Sequence, residues 1–98
     1  MGMPGNMNNL MKQAQRMQRQ MEENKRALDE KEFKATAGGG AVEVVMTGAH
    51  QLQSIILDPD AVDPDDVETL QDMIMVAVND VLAQINEESE KVMGGMGF

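Results

Sequence analysis

The chain has 98 residues, 42% of them hydrophobic and 26% charged, a length that suits one domain and a composition too apolar for full disorder. A formal charge of −9 sets the whole-molecule field against polyanions, and the absence of cysteine excludes disulfides, thiol nucleophiles and thiolate zinc sites. No apolar run nears the roughly 18 residues of a membrane span, and MGMPGNMNNLMK lacks the basic start and apolar core of a signal peptide, so a cytoplasmic chain is expected, its small size compensated by oligomerisation.

Gly2, Pro4 and Gly5 show no periodicity, so residues 1–6 read as a flexible terminus with order starting near Met7. Apolar residues then fall at Met7, Leu10, Ala14, Met17, Met21 and Leu28, a heptad-like spacing that predicts a helix of about 25 residues, roughly 37 Å long. Its apolar seam is narrow and suits one partner helix better than a broad core. Lys12, Arg16, Arg19 and Arg26 take heptad positions f, c, f and f, a basic stripe opposite the seam that Glu22 and Glu23 interrupt. EFKATA (residues 32–37) alternates as a half-buried strand, Gly38, Gly39 and Gly40 form a reversal, and AVEVVMT (41–47) alternates Val42, Val44 and Met46 against Glu43, Val45 and Thr47. A second reversal at Thr47–His50 leads into QLQSIIL (51–57), completing an antiparallel meander that Asp58 and Pro59 end. Asp63 before Pro64, Asp65 and Asp66 reads as an N-cap, a first-turn proline and dipole-favoured acids, so a second helix is expected to start there. Its stripe of Val67, Leu70, Ile74, Ala77, Val78, Val81, Ile85 and Val92 would cover the sheet, while Met73, Met75, Val76 and Leu82 add apolar surface that suggests a subunit interface. Gly94, Gly95 and Gly97 end the helix, with residues 94–98 as a flexible tail. The fold class is therefore α+β in the order α-β-β-β-α, one domain over residues 1–98.

Charge divides unevenly. Residues 1–34 hold seven bases and five acids, whereas residues 35–98 hold Lys91 alone against twelve acids, so the balances are +2 and −11. A polyanion-binding surface belongs near the N-terminus. The chain offers no matched catalytic set: Ser54 and Ser89 lie outside any nucleophile elbow, and His50, the lone histidine, sits at a strand turn where solvation explains it. Asp58, Asp60, Asp63, Asp65 and Asp66 lack the glycine and terminal glutamate of an EF-hand loop, so turn and cap chemistry accounts for them better than calcium. The triple glycine has no following Lys-Ser or Lys-Thr and precedes a strand, which favours a structural reversal over a phosphate cradle. Two phenylalanines without tyrosine or tryptophan make a base-stacking platform improbable. On residue pattern alone the basic stripe reads as a solvated helix face and the methionines as seam and core.

The strings NLMKQAQRMQ (Asn9 to Gln18), AGGGAVEV (Ala37 to Val44), TGAH (Thr47 to His50), LDP (Leu57 to Pro59) and LQDMIMVAVND (Leu70 to Asp80) occur in this order over most of the chain. Together they resemble the YbaB/EbfC family of small bacterial nucleoid-associated DNA-binding proteins. The resemblance implies a homodimer whose first helices project like the arms of tweezers and grip duplex DNA in the nucleoid, without enzymatic activity, cofactor or small-molecule substrate. It makes Lys12, Arg16 and Arg19 the first phosphate contacts, with Lys25 and Arg26 farther along the arm. The chain departs from the family at Glu43, where a lysine is common, and in QLQSIIL and VNDVLAQINEE, which lack bases often found there. The alternative reading is a dimer of the same fold that docks protein partners through its methionine seam or acidic second half.

Overall fold

The computed structural model describes residues 3–94, with side chains for residues 7–93. Five principal elements follow one another: α1 (Met3–Glu30), β1 (Glu32–Ala37), β2 (Val42–Thr47), β3 (Leu52–Leu57) and α2 (Val67–Gly94). This is the α-β-β-β-α order expected from the periodicities. The expected flexible ends fall partly outside the described residues, at 1–2 and 95–98.

Helix α1 starts at Met3, four residues before the point where its seam becomes periodic. Pro4 lies in the first turn, where a helix has no use for its missing N–H, so it does not delay the start. From Met3 to Glu30 there is no β-branched residue, and Met, Gln, Lys, Arg and Glu dominate, all good helix formers. From residue 7 to 27 every side chain is exposed except half-buried Asn24, and burial begins at Leu28. The helix therefore stands away from the rest of the chain as an arm about 42 Å long, and the molecule measures 80 × 21 × 15 Å.

The strands form one antiparallel sheet in the order β1-β2-β3. Register places Phe33, Ala35 and Ala37 opposite Met46, Val44 and Val42, which puts one apolar set on a single face. Helix α2 lies over that face across β1 and β2, burying Ala77, Val81 and Ile85 against Val42 and Val44. Each buried Val or Ile contributes about 1.5–3 kcal/mol of transfer free energy, and the Ala77 methyl about 0.8 kcal/mol. All three linking glycines, Gly38, Gly39 and Gly40, have positive φ, and a Cβ on Gly38 would run into the sulfur of Met73 on α2. The triple glycine is thus a structural reversal, as the lack of phosphate-loop features indicated, with Gly38 alone held against α2 and Gly39 and Gly40 open to solvent.

The second helix begins later than its sequence signals suggest. Asp63 Oδ1 accepts from Asp65 N at 2.9 Å, and Asp66 N donates to Asp63 O at 3.0 Å, so Asp63 to Asp66 closes a turn with Pro64 at its second position. Asp66 is the residue that caps α2, its carboxylate accepting from Thr69 N at 3.4 Å and from the Thr69 hydroxyl at 2.7 Å. An acidic residue followed by proline serves a turn as well as a helix start, and here two such units follow one another. Val67, expected on the covered face, lies in the first turn and remains exposed.

Candidate nucleic-acid interface

Lys12, Arg16 and Arg19 recur at intervals of four and three, so they stack on one face of α1. With Gln15 they line a shallow concavity of about 160 Å³ near the outer half of the arm. Arg26 continues the same stripe about 21 Å from Lys12 along the axis, at 1.5 Å per residue. Lys25 is placed differently. It borders a cleft of about 400 Å³ at the elbow between arm and body, together with Asp29, His50 and Ser89. The structure therefore brings three of the five expected contact residues into one cluster and spreads the other two toward the elbow.

Ion pairing separates the arm from the body. The lysines beyond the arm are matched with carboxylates: Lys31 with Glu88 at 3.0 Å, Lys34 with Glu43 at 3.6 Å and Lys91 with Glu87 at 3.8 Å. Lys31 also lies over the Phe33 ring, 5.3 Å from its centroid. Among the described residues, Lys12, Arg16, Arg19, Lys25 and Arg26 make no such pair. Glu43, the acid standing where a basic residue was expected from the family pattern, occupies Lys34 and so cancels a charge on the sheet as well as adding one. Sequence alone could not show this pairing, because Lys34 and Glu43 meet only through the β1–β2 register.

The elbow is tied together through the backbone. Gly48 N donates to Lys31 O at 2.9 Å and Ala49 N donates to Asp29 O at 3.3 Å, so the β2–β3 turn is hydrogen-bonded to the end of the arm. A Cβ on Gly48 would overlap the carbonyl oxygen of Leu28. His50 closes this turn with φ of 66°, its N–H donating to Thr47 O at 2.9 Å, and its ring is exposed. The aspartates that might have held calcium act in turns and the cap, Asp58 Oδ1 accepting from Asp60 N at 3.0 Å as Asp63 does from Asp65. Among the described residues no helix is long and apolar enough to cross a membrane.

A projecting arm whose basic cluster has no ion-pair partner among the described residues, fixed to a small acidic sheet-and-helix body, defines the class of an elongated α+β protein with an exposed cationic arm. The chain belongs to the YbaB/EbfC DNA-binding family, whose profile matches residues 2–97. A nucleoid-associated protein of Agathobacter rectalis is 55% identical over 98% of this chain and 88% of its own length. One of Acetivibrio thermocellus is 52% identical over the same shares. The fold is also that of an uncharacterized Helicobacter pylori protein, whose crystal structure superposes with a TM-score of 0.76 at 22% identity, covering 89% of this chain and 91% of the other.

Proposed function

We propose that this chain is a non-enzymatic, nucleoid-associated protein that grips duplex DNA as a homodimer, with Lys12, Arg16 and Arg19 on the phosphates and Lys25 and Arg26 assisting farther along the arm. The observation that carries this reading is the contrast in ion pairing: among the described residues the arm's bases have no carboxylate partner, whereas the body's lysines do. The names of the relatives point the same way and favour a location in the nucleoid. The acidic body repels a duplex, so contact is confined to the arms, and backbone charge rather than base edges supplies the affinity.

Dimerisation is supported by the apolar surface that α2 leaves open. Leu52 and Ile55 of β3 share the sheet face that α2 covers over β1 and β2, yet remain 47% and 42% exposed. Met75 and Val76 of α2 are both 59% exposed. Strand β3 is also an edge with no charged residue or proline to protect it, a surface that a second copy would cover.

Fluorescence anisotropy of a labelled duplex, titrated at low and moderate salt, tests the reading. Three bases on each of two arms release about six counterions, so affinity should fall about a thousandfold between roughly 50 and 200 mM salt. The Lys12→Glu/Arg16→Glu/Arg19→Glu variant should lose binding while keeping its helix content and its mass in solution. Unchanged affinity in that variant would remove the site. Failure of the unaltered chain to bind at low salt would leave the same fold as a protein-interaction dimer.

A further inference from the structure

The chain has eleven methionines and no cysteine, so thioethers are its only sulfur. The structure sorts them by place. Met7, Met11, Met17 and Met21 stand on the arm, 60%, 60%, 49% and 40% exposed, whereas Met46 of the central strand is 7% exposed and belongs to the core. At about 100° per residue the four arm methionines share an arc of about 120°, and Lys12, Arg16 and Arg19 fall within about 60° on the opposite side. No arm methionine stands three or four residues from any of those three bases, so none is their neighbour along the helix surface.

We propose that the arm's methionine face is a reversible oxidation site, one that takes oxygen from hydrogen peroxide while the fold and the basic stripe stay intact. In the step, a lone pair of the thioether sulfur attacks one peroxide oxygen. The S–O bond forms, the O–O bond breaks, and after proton transfer the other oxygen leaves as water. Sulfur loses two electrons and peroxide gains them. The sulfoxide is polar and uncharged, and methionine sulfoxide reductases return it to the thioether.

Placement decides what oxidation does. At Met46 a sulfoxide would bury a new polar group among Val42, Val44 and Phe33, which disrupts packing. On the arm the same group meets water and displaces no core neighbour, because the arm first enters the core at Leu28. It also leaves the three positive charges of Lys12, Arg16 and Arg19 unchanged, and charge is what sets a phosphate contact. Since the arm is the part read above as lying on DNA, its thioethers consume peroxide beside the duplex; this consequence alone rests on the phosphate contacts already proposed.

Limited treatment of the full chain with hydrogen peroxide, followed by peptide mass mapping, tests the site. Met7, Met11, Met17 and Met21 should gain oxygen at least about tenfold faster than Met46, since exposure governs susceptibility. Arm methionines as slow as Met46 overturn the proposal. The variant Met7→Leu/Met11→Leu/Met17→Leu/Met21→Leu keeps helix propensity and should take up about four fewer oxygens per chain, whereas equal uptake places the reactive sulfurs elsewhere. Chain oxidised on the arm alone should keep its Tm and bind a labelled duplex within about twofold of untreated chain, because no charge is lost. A lowered Tm, or binding lost by oxidation, overturns the claim that fold and basic stripe stay intact. If untreated chain binds no duplex, the phosphate contacts fall, while the order of oxidation and the Tm still decide this site.

Discussion

Gly48 sits where two backbones approach too closely for any side chain. Its N–H bonds the Lys31 carbonyl, and the carbonyl of Leu28 fills the space a Cβ would need. Leu28 O cannot swing aside without opening the last turn of α1, the turn that joins arm to body. Gly48→Ala is therefore expected to cost about 1–3 kcal/mol or more through overpacking. At about 4–8 °C per kcal/mol for a domain near this size, thermal unfolding should show a clear drop in Tm. Gly39 differs from it: no atom would meet a Cβ there, and its demand is the positive φ of 67° alone.

At the scale of elements, local signals fixed the type of each segment better than its ends. Asp63 and Asp66 both stand before α2, and only hydrogen bonding tells their roles apart: Asp63 serves a turn, Asp66 the helix. Asp66→Ala should cost about 1 kcal/mol, the typical value of an N-cap, visible as a lowered Tm, whereas Asp63→Ala should cost less because its bond lies outside the helix. Helix α1 shows the converse, since Pro4, a breaker in mid-helix, is harmless in a first turn. Strand β2 was the most legible element. Its alternation of buried Val42, Val44 and Met46 with the half-buried Glu43 and Val45 matches a central strand covered on one face, and only Thr47 at its end departs by being buried on the other phase.

For the whole molecule, a strongly acidic chain of −9 carries a basic cluster on an arm that its acidic body does not neutralise. Distance does part of this: Lys12 lies nearly three turns and Arg16 nearly two from Glu22, whereas Arg19 is within about one turn of Glu22 and Glu23 yet forms an ion pair with neither among the described residues. The covered and uncovered halves of the sheet make a second division. Because α2 spans β1 and β2 only, Ile55 and Met75 remain as surface in one chain. In the homodimer proposed above, Ile55→Lys/Met75→Lys is expected to halve the mass measured by light scattering at low concentration while leaving helix content unchanged. An unaltered mass would place the dimer contact elsewhere.

Sequence by itself determined the five elements, the alternating core of β2, the buried stripe of Ala77, Val81 and Ile85, and the clustering of Lys12, Arg16 and Arg19, because each follows from a period of 2 or 3.6 along a continuous segment. The family strings added the expectation of an arm gripping DNA, and the family itself is shown by the match over residues 2–97. The tertiary structure decided what depends on residues far apart in the chain. It matched Lys31 with Glu88 and Lys34 with Glu43, locked the arm through Gly48 against Leu28, and left β3 uncovered beside α2. Strand register and helix placement set these relations, and among the described residues the ion pairs they form lie in the body and not along the arm.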